Sequence, residues 1–230
     1  MHQRHKPNVG QAQDALSSAK ALLELLKDLL YDEKDWLLEG TAFINDREKA
    51  KRYFVKSNAV KPNPDAYYYL GNIECEAQNF LTAIKHFEEA LKYAKKPFIY
   101  YSLGRCYEYQ GLYEDAIKQY NNSINLKCPL RDPYNNPYYR KLLILTEQNF
   151  DFIPNDIINL LNVIIKIFPQ NTKFLILRAK YALKLDQKTI ALDDLESAVN
   201  IDENLRKDIA NNADFDILKD EEQFKRRYVK

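Results

Sequence analysis

Few residues in this sequence have the types and spacing that chemistry requires. Its three histidines are His2, His5 and His86. His2 and His5 stand in a polar tail, and His86 sits beside Glu88 and Glu89 in a helical stretch. A metal site there needs further ligands at helical spacing, and none follows, so a solvated helix face is the simpler reading. The three cysteines, Cys75, Cys106 and Cys128, form no CxxC pair and have no histidine placed to activate a thiolate. They read as inert, reduced thiols. Gly71 and Gly104 interrupt two helical stretches, yet neither belongs to a GxGxxG or GxxxxGK[ST] phosphate loop. No GxSxG elbow occurs, and acid pairs such as "FEEA" and "DDLE" are ordinary on solvated helices. The expectation is a chain that is not an enzyme, with no catalytic residue, no metal and no cofactor.

Composition narrows the remaining classes. The 230 residues are 46% hydrophobic, enough for a folded core. Thirty-four basic against 33 acidic side chains give a formal net charge of +1. A dedicated nucleic-acid surface is normally clearly basic, so RNA binding ranks last among the readings. The start, "MHQRHKPNVG", lacks the apolar centre of a secretory signal. The most apolar run, "IINLLNVIIKIF" at 157 to 168, is shorter than the roughly 18 residues of a membrane span. With the cysteine usage, this places the chain in the cytoplasm, without a membrane partner.

The elements that hold the glycines show an internal repeat. Leu70-Gly71 and Leu103-Gly104 lie one fixed step apart, and so do Tyr67 and Tyr100, Ala83 and Ala116, and Phe87 and Tyr120. A shared offset near 33 residues is the signature of a repeat architecture. Turn residues lie between glycine and alanine in each copy, so each copy is two helices joined by a tight turn. Gly111 is suited to the left-handed helix end, and prolines 62, 64, 97, 129 and 169 all fall between helices. A side chain at Gly104 would hold the paired helix away, with Ala116 expected opposite.

Residues 97 to 129 resemble the tetratricopeptide repeat family through Tyr100, Leu103-Gly104, Tyr107, Ala116, Tyr120 and Pro129. Residues 64 to 97 match through Tyr67, Leu70-Gly71, Ala83, Phe87, Ala90 and Pro97, with Glu74 replacing the aromatic. Weaker copies flank them, one through Trp36, Gly40, Ala50, Phe54 and Pro62, the other through Ala179, Ala191, Leu195 and Ala198. The resemblance implies an all-α, right-handed α-solenoid of helix-turn-helix repeats with helical caps. We expect an N-terminal tail and amphipathic capping helix at 1–32, and the repeat solenoid at 33–202. The solenoid holds four recognisable repeats and a degenerate one at 137–169, and a C-terminal capping segment at 203–230 closes it. Residues 12 to 30 form a leucine-rich face expected to pack on the first repeat. Phe215, Leu218 and Phe224 are the apolar residues of the closing segment. The stretch from Pro129 to Pro137 reads as a rigid spacer rather than a hinge.

In that family the first helix of each repeat lines a concave groove that binds peptides. Carried over by motif, the groove would present Leu37 and Thr41, then Tyr68, Asn72 and Glu76, then Tyr101, Arg105, Glu108 and Tyr109, then Ile176, Lys180 and Lys184. The implied function is a non-catalytic scaffold or adaptor for protein–protein interaction that binds a peptide or protein segment. Tyr68 and Ser102 replace the Lys and Asn of the chaperone-tail clamp known in one subgroup, which argues against that ligand. The alternative is a self-associating structural module, a homo-oligomer built through the N-terminal helix or the apolar 155–168 helix.

Overall fold

The computed structural model describes residues 9–129, 131–147 and 154–228. His2 and His5, Leu130, residues 148–153 and the last two residues lie outside that description. Every regular element among the described residues is helical. The chain divides after Lys95 into two compact units.

The first unit holds α1 (Val9–Leu30), α2 (Glu33–Ala42), α3 (Arg47–Val60), α4 (Pro64–Glu76) and α5 (Phe80–Tyr93). Helix starts follow the local sequence. Asp32 Oδ1 accepts hydrogen bonds from the N–H groups of Lys34 (2.8 Å) and Asp35 (3.0 Å), and Asp35 reciprocates to the Asp32 N–H. That is a capping box, which satisfies donors the helix cannot satisfy itself. Asn63 caps α4, with Pro64 at the first helical position, where a missing N–H costs nothing. α2 and α3 pack as one hairpin, α4 and α5 as the next, and α3 packs on α4.

The second unit holds α6 (Pro97–Tyr109), α7 (Tyr113–Asn125), α8 (Pro137–Glu147), α9 (Pro154–Ile167), α10 (Thr172–Leu183) and α11 (Lys188–Ile201). The short α12 (Leu205–Ala210) and α13 (Glu222–Tyr228) follow, with a 3-10 turn over Ala213–Leu218 between them. Phe215, Leu218 and Phe224 are buried in the same apolar cluster as Leu192 and Leu195. α9 turns Ile157, Ile158, Leu160, Leu161 and Ile164 into that cluster as well. Most of its apolar surface is therefore spent inside the unit, with Val163 and Ile167 left exposed.

The helical glycines are contact points between the two helices of a hairpin, and the partner differs from the expected one. A Cβ on Gly71 would lie 2.6 Å from Phe87 Cε1, and one on Gly104 would lie 2.7 Å from Tyr120 Cε1. A Cβ on Gly40 would meet the Phe54 ring in the same way. The aromatic ring of the second helix occupies the space beside the glycine. Ala116, expected opposite Gly104, comes next after the ring, its carbonyl oxygen 3.3 Å from where that Cβ would stand. At the fourth copy the pair changes together: Ala179 stands at the glycine position and Leu195 at the ring position, both fully buried.

A second regularity lies in the turns. Gly111 has φ +73°, as its type suggested, and Gln78 (62°) and Asp186 (56°) share this left-handed conformation. Each stands at the same place after its anchor, Gly71, Gly104 or Ala179, so one turn geometry serves three hairpins. Of the four tyrosines at motif positions, Tyr120 is fully buried, whereas Tyr67, Tyr100 and Tyr107 are half-buried.

α1 departs from its expected role. Its leucine face is not covered by the first repeat; Leu22, Leu23, Leu26, Leu29 and Leu30 are all exposed. The helix is attached through its polar edge instead. Lys27 Nζ donates to Glu39 at 2.7 Å, Lys56 Nζ donates to Asp28 at 2.7 Å, and the Tyr31 ring lies 4.9 Å from Trp36.

Candidate partner-binding face

At 100° per residue, a helix that turns Gly71 or Gly104 toward its partner helix turns the residues next to them toward another side. In the first unit that side of α4 carries Tyr68, Asn72 and Glu76. Tyr68 is half-buried, its ring 6.0 Å from Phe87 and 5.5 Å from Tyr69. Asn72 is half-exposed. Glu76, at the exposed end, pairs with Arg47 at 2.8 Å. On α2, Leu37 and Thr41 are half-exposed.

In the second unit the corresponding side of α6 carries a connected polar-aromatic group. The Arg105 guanidinium donates to the Tyr109 hydroxyl at 2.6 Å, and its carbon stands 5.4 Å from the Tyr109 ring centroid. Tyr109 is 50% exposed, so this pair faces solvent. Tyr101 leans against Tyr120, with centroids 5.9 Å apart, and its hydroxyl donates to Asn135 Oδ1. Burial pushes the Tyr101 phenol up to about 12, so it stays a neutral donor.

Glu108 lies deeper. Its carboxylate accepts the Tyr120 hydroxyl at 2.5 Å and Arg140 Nε at 3.0 Å, and a second Arg140 nitrogen also pairs with it. Burial and the Glu108 charge both raise the Tyr120 phenol, keeping it protonated. Burial opposes the Arg140 charge, but the Glu108 carboxylate outweighs it and holds the guanidinium above its ordinary value. This network links α6, α7 and α8.

On α10, Ile176 and Lys180 are half-buried, and Lys180 pairs with Asp214 at 2.9 Å. Lys184 is exposed, with its ammonium 4.7 Å from the Tyr181 ring centroid.

Sequence reasoning missed the contribution of the segment before α8. Asp132 Oδ1 accepts from the N–H groups of Tyr134 (2.7 Å) and Asn135 (2.9 Å). Asn136 Oδ1 accepts from Tyr139 N–H at 2.9 Å, while its amide donates to the Asp132 carbonyl at 2.7 Å. These bonds hold Asn135 where Tyr101 reaches it. The Tyr134 ring lies 5.6 Å from Phe174, and its hydroxyl accepts from Asn171 at 2.7 Å. The available signal was the Asp-Pro-Tyr-Asn-Asn-Pro string, in which Asx side chains accept local N–H groups. Among the described residues no cluster of three His, Cys, Asp or Glu could hold a metal ion, and no helix is long and apolar enough to cross a membrane.

No protein-family model and no curated protein matches the chain. Solved structures do. YrrB, described as a TPR protein with an unusual peptide-binding site, aligns over 81% of this chain and 92% of its own, at TM-score 0.59 and 16% identity. The MamA protein aligns over 75% of this chain and 93% of its own, at TM-score 0.58 and 17% identity. Yeast Tom70 aligns over 86% of this chain and 40% of its own, at TM-score 0.51 and 19% identity. At such identities the likeness speaks to fold. Each unit holds helical hairpins closed by an aromatic ring on a small residue, Gly71 with Phe87 and Gly104 with Tyr120, and this chain has the tetratricopeptide-repeat fold.

Proposed function

We propose that the chain is a non-catalytic protein–protein interaction scaffold or adaptor that holds a peptide or protein segment on the first-helix faces of its repeats. The observation that carries the reading is the Arg105–Tyr109 pair, a guanidinium and a half-exposed ring already positioned together on α6. Arg and Tyr are enriched among the residues that dominate binding energies, and preorganisation lowers the entropy lost on binding. Tyr68 and Asn72 offer similar chemistry on α4, and Lys180 and Lys184 add positive charge on α10. Tyr101 and Glu108 support the face from beneath, through Asn135, Tyr120 and Arg140. The fold shared with YrrB, whose structure is described as having a peptide-binding site, supports the same class of ligand.

The test uses a random peptide library displayed on phage and selected against the full chain. Arg105→Ala and Tyr109→Ala should each weaken the selected peptides about tenfold or more, which corresponds to about 1.4 kcal/mol. Tyr109 is exposed and Arg105 partly so, and the stability loss should stay below about 1 kcal/mol. Tyr101→Ala is a poorer probe, because it also removes contacts to Tyr120 and Asn135. Selected peptides that bind both variants as tightly as the parent show that this face is not the binding site.

A further inference from the structure

α1 presents an apolar seam that the rest of its unit does not cover. Ala12, Ala15, Ala19, Leu22, Leu26 and Leu29 follow one another at alternating steps of about three and four, the spacing of a two-helix seam. Leu16, Leu23 and Leu30 run alongside. All nine are exposed, the leucines by 45% at Leu26 up to 81% at Leu29. The attachment through Lys27, Asp28 and Tyr31 lies on the other edge of the helix, so the seam faces away from α2 and α3.

We propose that α1 pairs antiparallel with α1 of a second copy of this chain. The seam is graded, with alanines in its first half and leucines in its second, and this grading selects the orientation. Parallel pairing would set leucine on leucine at one end and alanine on alanine at the other, forcing the helices apart unevenly. Antiparallel pairing sets Ala12 against Leu29, Ala15 against Leu26 and Ala19 against Leu22, and the twofold axis repeats all three. Every layer then holds one small and one large side chain at one interhelical spacing. The surface is its own complement, as an isologous twofold interface requires.

Its area suits a specific interface. At roughly 100 Å² of apolar surface per leucine, the exposed fractions with the alanines give about 500 to 600 Å² per copy. Two copies bury about 1,000 to 1,200 Å², just above the roughly 1,000 Å² expected of a genuine interface. A membrane surface fits less well. α1 carries two lysines against three acidic residues, whereas helices that lie on anionic bilayers carry basic polar faces.

Sedimentation equilibrium of the full chain in reductant, from about 1 to 100 μM, should show a reversible monomer–dimer equilibrium. Leu22→Lys/Leu26→Lys should weaken it at least about a hundredfold, because unpaired charges would be buried in the seam. At concentrations low enough that the parent is also monomeric, the variant's far-UV signal and melting temperature should match the parent's, since both leucines are exposed in the monomer. Mixing Ala12→Cys chains with Leu29→Cys chains under mild oxidation should give a crosslinked heterodimer above the background of the unsubstituted chain. Ala12→Cys alone should not crosslink above it. A strict monomer throughout the range overturns the pairing, whether or not the chain sediments with phosphatidylcholine–phosphatidylserine vesicles. Such sedimentation would assign the seam to a membrane. A dimer untouched by the double lysine variant, or crosslinking of Ala12→Cys alone, overturns it as well.

Discussion

Gly71→Ala is the sharpest test of what holds a hairpin together. The added Cβ would sit 2.6 Å from Phe87 Cε1 and 2.8 Å from both Cδ1 and Cζ. Non-bonded carbons prefer about 3.5 to 4.0 Å, so the ring would have to withdraw by about 1 Å. Phe87 is fully buried and has no open side to move into. Overpacking of this kind costs about 1 to 3 kcal/mol, while replacing a mid-helix glycine by alanine returns about 1 kcal/mol of helix propensity. The net expectation is a loss of about 1 kcal/mol. Phe87→Leu alone should cost about 1 to 2 kcal/mol, through the space it leaves. In the double variant the new methyl fills part of that space. The combined loss should be about 1 to 2 kcal/mol smaller than the sum of the two single losses. Ala179 with Leu195, both fully buried in one cluster, is this combination already present in the chain. Urea unfolding of the four proteins, followed by circular dichroism at constant m, measures the cycle. Neighbouring sites that do not interact add within about 0.5 kcal/mol. Additivity at that level, or a more stable Gly71→Ala, would refute the glycine-on-ring account.

Two further predictions concern positions where the repeat pattern is broken. Gln78 (φ 62°) and Asp186 (φ 56°) occupy the turn position that Gly111 fills in the middle copy. A left-handed conformation costs an ordinary residue about 1 to 2 kcal/mol, part of which glycine returns as unfolded-state entropy. Gln78→Gly and Asp186→Gly should each stabilise by about 0.5 to 1 kcal/mol in urea unfolding, and Gln78→Val should destabilise. Glu74 replaces the motif's aromatic and is buried, held by Lys51 at 2.5 Å and by the Asn79 amide at 2.9 Å. The Lys51 hydrogen bond lowers its pKa against the opposing effect of burial. A depressed folded-state pKa stabilises above the unfolded-state value, near 4.3, and that stability is lost as pH falls through the folded-state value. Glu74→Gln should therefore unfold over a flatter pH profile below about pH 4.5 than the parent. Superimposable acid-unfolding curves would show that the pair contributes nothing.

The hairpins were legible in the sequence because their anchors are local and periodic. Leu70-Gly71, Ala83 and Phe87 lie on two helices joined by a short turn, and the second copy repeats them through Leu103-Gly104, Ala116 and Tyr120. The atom that meets the glycine was harder to read. Alanine and the aromatic lie one helical turn apart on the same face, and spacing alone does not distinguish which of them reaches the first helix. The covering of α1 was not legible at all. A leucine stripe states that a helix wants a partner, but whether the partner is intramolecular depends on which edge the Lys27–Glu39 and Lys56–Asp28 pairs turn inward. The Asp132–Asn136 segment hid for the opposite reason. Its hydrogen bonds are local and side-chain-based, and a search for helical periodicity passes over them.

Stacking and surface chemistry meet on α6, and the structure separates them by depth. Gly104 faces Tyr120 on α7, and Leu103 is buried. Glu108 reaches Arg140 on α8 and Tyr120 on α7, so its charge is compensated inside the unit. Removing one partner of such a buried pair costs more than the pair itself contributes, because the other is left unpaired. A Glu108 variant would thus lose binding and folding together and would say little about function. Arg105 and Tyr109 lie one turn apart on the outer side of the same helix, where their mutual contact is open to solvent. Substitution there should therefore disturb binding more than folding. Four sequence-spaced candidates on one helix thus divide into two that build the scaffold and two that it displays.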